Sequence, residues 1–372
     1  MKILIAGDYY PRRRIAKLLV ENDYSFFDEI IPITNDCDYS IVNFEGCVAS
    51  DSDTPIDKTG PNLKCEENAI NSIKYAGFDC VTLANNHFRD YGDSGVWKTL
   101  ECCKKEGIDS VGGGINLDEA KNVLYKTIDG KTIAIINRCE SEWSIATKVR
   151  GGAAPINPIN DYYMIKEASN KADYVLMIIH GGIEEYPYPT PRMKQLYRFY
   201  IDAGADAIIN HHQHCISGYE FYCNKPIFYG LGNFCFDWVT GPAKWWEEGF
   251  MVMIDFGPAK IEFQLYPYLQ FSDLPKVAII KDRSSFDDEI QKLNQVISSD
   301  VLLEAKFLEW TSKRNNISLL EPYNNKITMG LFARRLLPSF LNDSKKRQIL
   351  NLVRCESHLE SLIQSLSNEL IK

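Results

Sequence analysis

Five of the six histidines in this chain of 372 residues lie where they could ligate a metal ion. Three of them, His211, His212 and His214, fall within four residues, and the others are His87 and His180. Such a cluster directly after an apolar run is rare outside metal sites, because neutral imidazole is a preferred ligand of transition metals. The histidines therefore point to the chemistry of a bound divalent cation.

Carboxylate and amide side chains follow other apolar runs in the same way. Asp8 ends the first run, Asn43 and Glu45 follow the second, and Asn85 and Asn86 follow the third. Taken singly, an Asp after a strand is more often a helix N-cap, and paired Asn residues are typical of turns. Their coincidence with the histidines favours metal ligands. Oxygen and imidazole donors suit Mn, Fe or Zn, and the surplus over one tetrahedral site predicts two such ions.

Short apolar runs, rich in β-branched residues, recur over the first two thirds of the chain. We predict strands at Ile3–Ala6, Tyr39–Val42, Cys80–Ala84, Thr132–Ile136, Tyr174–Ile179, Ala207–Ile209 and Pro226–Tyr229. We predict helices between them at Glu66–Ala76, Ser94–Glu106, Asn160–Lys171 and Arg192–Ala203. The alternation predicts an α/β fold with a layered sheet core flanked by helices, its strands buried on both faces. In such folds ligands bind beyond the carboxyl ends of strands, where the polar side chains would meet.

After about residue 275 helical patterns dominate the chain. We predict helices there at Phe286–Ile297, Val301–Lys313, Gly330–Leu336 and Lys345–Leu370. The chain is therefore expected to divide into an α/β domain over residues 1–275 and a helical C-terminal extension over residues 276–372.

Three further basic residues are interpreted as structural. Arg138 ends another apolar run and is expected to pair with Glu140 or Glu142. Arg354 and His358 are one turn apart in the last predicted helix and are interpreted as ordinary helix residues. The alternative is a tail that folds over the site and supplies Arg354.

Composition narrows the class of protein. There are 41 Lys and Arg against 50 Asp and Glu, and the net charge of −9 argues against a protein that binds nucleic acid or anionic lipid by bulk charge. No apolar stretch is long enough for a transmembrane segment, and the first apolar run is too short for a signal peptide. Eleven cysteines without a C-x-x-C pair are expected to be buried thiols in a reducing compartment. We therefore expect a cytoplasmic protein, free or peripheral at the inner face of the membrane.

The motifs together resemble those of the poly-γ-glutamate capsule biosynthesis (CapA-type) family, a branch of the calcineurin-like metallophosphatases. The matching motifs include Gly7-Asp8, Asn43-x-Glu45-Gly46, Ala84-Asn85-Asn86-His87-x-x-Asp90-x-Gly92, His180-x-Gly182-x-Glu184, His211-His212-x-His214 and the stretch from Lys225 to Phe234. The resemblance covers about residues 1–240 and implies a metallophosphatase-like fold. The wider superfamily usually has Asp-x-His at the first strand, whereas Asp8 is followed here by Tyr9 and Tyr10.

The resemblance also implies a role for each site residue. Two ligand sets follow, with Glu45 in the bridging place between them: Asp8 and His214 for one metal, and Asn86, His180 and His212 for the other. His87 corresponds to the catalytic histidine that acts on the leaving group or the scissile phosphate. The residues expected to line the substrate pocket or support the ligands are Asn43, Asn85, Arg89, Glu184, His211 and Asn233.

These roles predict a metal-dependent hydrolase, in the first place a phosphoesterase, in capsule, poly-γ-glutamate or surface-polysaccharide biosynthesis. Its substrate is expected to be an anionic small molecule or polymer, because bound cations reverse the acidic charge locally. One alternative is a non-catalytic assembly or polymer-handling component that docks on a membrane-bound synthase through the C-terminal helices. Another is an amide or γ-glutamyl hydrolase that uses the same metals on a carbonyl group.

Overall fold

Two mixed β-sheets lie face to face in the computed structural model, and helices cover the outer face of each sheet. The structure describes residues 1–237, 244–272, 274–313, 331, 334, 336 and 342–370. The predicted α/β class, with a layered sheet core flanked by helices, is confirmed. The strands divide between two sheets, which the sequence patterns did not distinguish.

The described residues form eighteen strands. In chain order they are β1 (Lys2–Tyr9), β2 (Tyr39–Phe44), β3 (Cys47–Val48), β4 (Lys64–Cys65), β5 (Cys80–Thr82), β6 (Asp109–Val111), β7 (Gly113–Gly114), β8 (Leu124–Ile128), β9 (Lys131–Cys139), β10 (Gly152–Ala153), β11 (Tyr174–His180), β12 (Ala207–His211), β13 (Tyr219–Tyr222), β14 (Lys225–Phe228), β15 (Asn233–Cys235), β16 (Glu248–Phe256), β17 (Ile261–Gln270) and β18 (Val277–Ile279). The first sheet has the order β18-β17-β16-β1-β2-β5-β6 with β15 beside β1, and the second has the order β13-β14-β12-β11-β9-β8.

The described residues also form twelve α-helices. They are α1 (Arg14–Val20), α2 (Ile31–Thr34), α3 (Asn68–Tyr75), α4 (Gly92–Glu106), α5 (Leu117–Ala120), α6 (Pro158–Lys171), α7 (Pro191–Ala203), α8 (Lys244–Glu247), α9 (Ser284–Ile297), α10 (Asp300–Lys313), α11 (Asp343–Arg354) and α12 (Glu356–Leu370). The predicted boundary at residue 275 falls between β17 and β18, which pair with one another.

Alternate residues of β1 enter different cores, which explains its unbroken apolar sequence. Leu4 and Ala6 pack under the helices on the outer face of the first sheet, whereas Ile3 and Ile5 pack between the two sheets. Complete burial of a Leu or Ile side chain stabilises a fold by about 1.5–3 kcal/mol. A strand buried on both faces is what the continuous run predicted.

β1 changes neighbours at Gly7. Residues Lys2–Ile5 pair with antiparallel β16, and Asp8 then pairs with Asn233 of parallel β15. A β-carbon on Gly7 would lie 2.0 Å from the carbonyl oxygen of Gly232, so only glycine lets the two backbones come this close. The branch leaves Asp8 at the carboxyl end of β1.

Parallel pairing brings several other strand ends to one edge of the molecule. In the first sheet Asp8 is opposite Asn43 of β2. In the second sheet His180 of β11 is opposite both His211 of β12 and Cys139 of β9. The polar residues that follow these strands therefore meet, as the strand-end argument predicted.

The last predicted helix, Lys345–Leu370, is wrong as a single helix. The structure has α11 and α12, separated by Cys355, whose ψ of 126° is extended. The break buries Cys355 and allows the Ser357 hydroxyl to donate to Glu140, so tertiary contacts outweigh the local preference for one helix. Four of the seven residues of the predicted helix Gly330–Leu336 lie outside the described residues.

The cysteines are free thiols, and nine of the eleven are buried, as their positions in apolar runs predicted. Over the described parts of the chain, no helix combines the length and the apolar character that crossing a membrane requires.

Candidate metal centre

Two groups of buried side chains meet where the strands end. In each group the candidate ligand atoms lie within 4.8 Å of one another. One group consists of Asp8, Glu45 and His214, and the other of Glu45, His180 and His212. Glu45, in the loop after β2, belongs to both groups, which is the bridging place that the resemblance implied.

The Glu45 carboxylate has no hydrogen-bond partner on either oxygen among the described residues, although it is completely buried. Its Oε1 atom lies 3.5 Å from Nε2 of His214, 3.9 Å from Nε2 of His180 and 4.0 Å from Nε2 of His87. Burying a carboxylate without donors is costly unless a cation compensates its charge. The donor set and the unpartnered oxygens therefore fit a divalent metal.

The effects of burial on the protonation of Glu45 and His180 are consistent with a bound divalent metal. Burial raises the pKa of Glu45 well above its ordinary value, and the nearby Asp8 raises it further. Burial lowers the pKa of His180 well below its ordinary value, and the imidazoles of His212 and His211 add to the effect. A neutral imidazole is the form that ligates metals, and a cation would restore the charge of the carboxylate.

Asp8 is oriented by neighbours from two other strands. Nδ2 of Asn43 donates to Oδ1 of Asp8 over 2.7 Å, and the Thr82 hydroxyl donates to Oδ1 of Asn43 over 3.0 Å. Nδ1 of His211 lies 3.5 Å from Oδ1 of Asp8, and neither ring nitrogen of His211 has a hydrogen-bond partner within the described ranges. The structure thus places Asn43 and His211 beside a candidate ligand.

Around His180 three candidate ligand atoms face one another. Its Nε2 atom lies 3.2 Å from Oδ1 of Asn86 and 3.0 Å from Nδ1 of His212. The Asn86 backbone is held by the Ser144 hydroxyl, which donates to its carbonyl oxygen over 2.7 Å. Asn85 stabilises the loop that carries Asn86, because its Nδ2 donates to the Phe44 carbonyl oxygen over 2.8 Å.

His214 is held from both sides. Its Nδ1 atom lies 2.9 Å from Oδ1 of Asn233, and its ring packs on Phe236 and Trp246, with centroids 5.3 and 4.9 Å away. His212 and His214 both have a positive φ, 95° and 56°, which side chains with a β-carbon rarely adopt. The surrounding contacts must hold this strained turn, which is typical of functional sites.

His87, the predicted catalytic residue, is fixed by a buried ion pair. Its Nδ1 atom lies 2.6 Å from Oδ2 of Asp90, and Nζ of Lys58 lies 2.5 Å from Oδ1 of the same carboxylate. An ionised carboxylate can only accept, so Nδ1 of His87 carries the proton in this pair. Burial and then Lys58 lower the pKa of His87, whereas Asp90 opposes them. Nε2 is left to face the centre, 4.0 Å from Glu45.

Arg89 and Glu184 lie at the margin of the candidate centre. The Arg89 guanidinium pairs with Asp93 over 3.2 Å, and its backbone N–H donates to the Ser144 hydroxyl. Glu184 lies on the loop after β11, where burial raises its pKa but the imidazoles of His212 and His214 contribute to lowering it overall. A contact of either residue with substrate stays a prediction.

Tyr10 occupies the position at which the resemblance led us to expect a histidine ligand. Its hydroxyl donates to the Lys64 carbonyl oxygen over 3.1 Å, and its ring packs edge-on against Phe236 with centroids 5.1 Å apart. The residue therefore belongs to a small apolar cluster with Leu63 and Trp246.

Sequence reasoning missed two buried charged residues at this site. Oε1 of Glu142 lies 3.9 Å from Nε2 of His212, and Lys58 anchors the pair of His87 and Asp90. Glu142 follows β9, the parallel neighbour of β11, so the strand-end signal was present. Lys58 lies in an irregular loop where no periodic pattern marks it.

A family model and two relatives from Bacillus agree with the motifs. A family model described as bacterial capsule synthesis protein PGA_cap matches residues 2–238. The capsule biosynthesis protein CapA of Bacillus anthracis is 32% identical over 247 residues, which cover 64% of this chain and 60% of that protein. The PGA biosynthesis protein CapA of Bacillus subtilis is 34% identical over 235 residues, which cover 62% of each chain. A crystal structure of a hypothetical protein from Thermus thermophilus aligns with a TM-score of 0.48 at 14% identity, covering 72% of this chain and 99% of that one.

The chain spans about 60% of the length of these two Bacillus relatives. The matched residues 2–238 include every member of the two ligand groups and end before β16. The resemblance drawn from the motifs is confirmed: the chain belongs to the bacterial capsule synthesis protein PGA_cap family, which is associated with capsule and poly-γ-glutamate biosynthesis.

Proposed function

We propose that this protein is a metal-dependent hydrolase, a phosphoesterase, that acts in capsule or poly-γ-glutamate biosynthesis. The observation that carries the proposal is the buried Glu45 carboxylate, shared by two ligand groups and without a hydrogen-bond partner among the described residues. Two such groups around one carboxylate are the arrangement expected of a two-metal hydrolase.

Two divalent cations of the Mn, Fe or Zn class would be held by the two groups, with Asn86 added to the second. When bound, they supply Lewis-acid activation of a water nucleophile and neutralise charge on the scissile group. Asn43 orients Asp8, and Asn233 orients His214. Supporting hydrogen bonds of this kind fix ligand orientation and basicity.

His87 is the residue that acts directly on the substrate. Its Nε2 faces the centre, and when the ring is protonated on both nitrogens the Nε2 proton can pass to the oxygen of the leaving group. Asp90 and Lys58 keep the ring in place. Phe236 and Trp246 exclude water on the side of His214.

γ-Glutamyl amide cleavage is a second candidate activity, because the Bacillus subtilis relative is named for the biosynthesis of PGA, a polymer with γ-linked amide bonds. The same donors could serve a carbonyl carbon, and a carboxylate-rich polymer is an anionic substrate. Release of glutamate from a γ-linked oligomer would distinguish this activity from phosphoester cleavage.

Docking on a membrane-bound synthase is a separate proposal for the C-terminal helices. Leu350 and Val353 of α11 are each 46% exposed, and Ile363 of α12 is 56% exposed. Exposed apolar residues on neighbouring helices suit a protein partner. Val353→Lys and Ile363→Lys should abolish co-purification with the synthase and preserve bound metal.

The test of the hydrolase is metal analysis of the purified full chain, followed by assays with an aryl phosphate, a sugar-phosphate panel and γ-linked glutamate oligomers. We expect transition metal to co-purify and one substrate class to be cleaved. A protein that retains no metal after reconstitution and cleaves none of these substrates would refute the proposal.

A further inference from the structure

The C-terminal helices reach the rim of the candidate metal centre. Nδ2 of Asn351, on α11, donates to Oε2 of Glu142 over 3.3 Å, and the other oxygen of Glu142 lies 3.9 Å from His212. The same Asn351 nitrogen lies 3.3 Å from Nδ1 of His358 on α12. Both helices lie beyond residue 238, where the family match ends. They therefore bring residues to the site that the family model does not describe.

Arg354 lies one turn after Asn351 and thus on the same face of α11. Its Cζ atom is 4.4 Å from the ring centroid of Trp143, the residue next to Glu142. The indole is fixed in turn, because its Nε1 donates to the Thr59 hydroxyl over 3.2 Å. Stacking uses the face of a guanidinium and leaves the N–H donors along its edge free to bind a ligand.

No partner satisfies those donors within the described residues. Arg354 has no carboxylate at ion-pair distance there and donates no hydrogen bond. By contrast, Arg138 and Arg347 each pair with an aspartate. Because this guanidinium is only half-buried, its edge donors are accessible to an acceptor on a ligand.

Two more arginines lie near Arg354 at the same rim: Arg150, and Arg89, which is paired with Asp93. Burial lowers the pKa of Arg354, Glu142 opposes this, and the like charge of Arg150 lowers it further. Burial and then Arg89 lower the pKa of Arg150 in the same way. Arg150 therefore adds positive charge near Arg354, which favours an anionic ligand.

We propose that α11 supplies a substrate-binding residue: Arg354, held on Trp143, binds an anionic group of the substrate beside the metal centre. The group is a carboxylate or a phosphate, because either presents two oxygens to the paired edge donors of a guanidinium. The inference rests on the proposed function for the location of the reacting bond. It adds a determinant of substrate specificity from outside the matched region.

The test is isothermal titration of the full chain with tri-γ-glutamate and, separately, with inorganic phosphate. We expect Arg354→Gln to weaken binding of the probe by about tenfold, the loss of one bidentate charged contact. The matched control is Lys346→Gln, which removes an exposed ammonium from the same helix and should change affinity by less than twofold. Arg354→Lys keeps the charge without the planar edge and should restore only part of the affinity. The probe that binds identifies the group as carboxylate or phosphate.

The proposal is overturned if the wild type binds neither probe, or if Arg354→Gln binds as the wild type does. A purely structural role would lower the melting temperature and leave the anion affinity unchanged, so both are measured. Mn²⁺ binding, followed by electron paramagnetic resonance, should be equal in all variants. An anion site that depends on Arg354 in a protein without hydrolase activity contradicts only the proposed function. A hydrolase whose anion affinity is independent of Arg354 contradicts only this inference.

Discussion

Oε1 of Glu45 lies 3.5 Å from Nε2 of His214, yet neither oxygen of this buried carboxylate accepts a hydrogen bond in the part of the chain that the structure describes. A carboxylate removed from water without donors destabilises a fold unless a cation compensates it. The centre is therefore stabilised by what it binds and destabilised when empty.

Glu45→Gln should abolish metal retention and raise the stability of the metal-free protein. The substitution keeps the shape of the side chain and removes a carboxyl group whose ionisation the buried site opposes, so we expect a gain of about 1–3 kcal/mol in the free energy of unfolding at neutral pH. Urea unfolding after chelation, with metal analysis, measures both effects. The exposed Glu101→Gln is the control and should change neither. A metal-free variant less stable than the metal-free wild type would contradict this reading.

Chelation should lower the melting temperature of the wild type, and Mn²⁺ should restore it. A ligand at one hundred times its Kd stabilises the native state by about 2.7 kcal/mol. His180→Ala should lose this response, because Nε2 of His180 lies 3.0–3.2 Å from His212 and Asn86. His358→Ala, outside both ligand groups, should keep it. Equal responses of the two variants would exclude His180 as a ligand.

His87→Gln should lower kcat by about 10²–10⁴, the usual contribution of a general acid. The loss should be larger for phosphoesters with poor leaving groups than for p-nitrophenyl phosphate, since a poor leaving group needs the proton more. Asp90→Asn should cause a smaller loss with the same dependence, because Asp90 acts by positioning His87. Steady-state kinetics over a series of leaving groups measures this. A loss independent of the leaving group would assign His87 another role.

Asp161→Ala should destabilise the protein by about 3–5 kcal/mol, because it leaves a buried guanidinium uncompensated. Arg138 and Asp161 are 2.9 Å apart, with side chains 0% and 2% exposed. The expected partners of Arg138, Glu140 and Glu142, were wrong. The control is Glu167→Ala, an exposed ion-pair partner on the same helix, which should change urea unfolding far less. Similar effects of the two substitutions would contradict the importance of this pair.

The stability of the Glu356→Gln variant, measured relative to that of the wild type, should increase as the pH rises. Burial and then Glu140 raise the pKa of Glu356 above 4.5, whereas hydrogen bonds from Ser141 oppose them. Because the pKa of this carboxyl is higher in the folded protein than in the unfolded chain, its full contribution to stability is present below pH 4.5. That contribution is lost as the pH rises through the pKa of the folded protein. Urea unfolding at about pH 4 and about pH 7.5 should therefore show a gain for the variant only at the higher pH. The control Glu304→Gln, at an exposed position, should show no such change. An equal change in the control would mean that the gain in stability comes from the change in net charge and not from the burial of Glu356.

The strand-end residues could be predicted because each is marked locally. Asp8, His180 and His212 all follow apolar runs, and parallel strands place their carboxyl ends together. Lys58 and Asn351 could not be found this way, since they reach the site through tertiary packing. Asn351 meets Glu142 across 209 residues of sequence, and the break at Cys355 that permits it depends on buried contacts.

The division of the strands between two sheets also could not be predicted from the sequence patterns. Runs such as Ile3–Ala6 and Tyr174–Ile179 are equally apolar, and nothing in them states which strand lies beside which. The sheets become distinct through β16 and β17, which continue the first sheet on the antiparallel side of β1. No prediction was made for those two strands.

The close contact of the two backbones at Gly7 makes the candidate metal centre sensitive to substitutions at positions that provide no ligand. A β-carbon at position 7 would lie 2.0 Å from the carbonyl oxygen of Gly232, so any side chain there would push β1 and β15 apart. Asp8 and Asn233, paired across that junction, would separate with them, and Asn233 carries the hydrogen bond to His214. The spacing of the ligands is thus a property of two backbones in contact. A substitution that removes no ligand can therefore disable the whole centre.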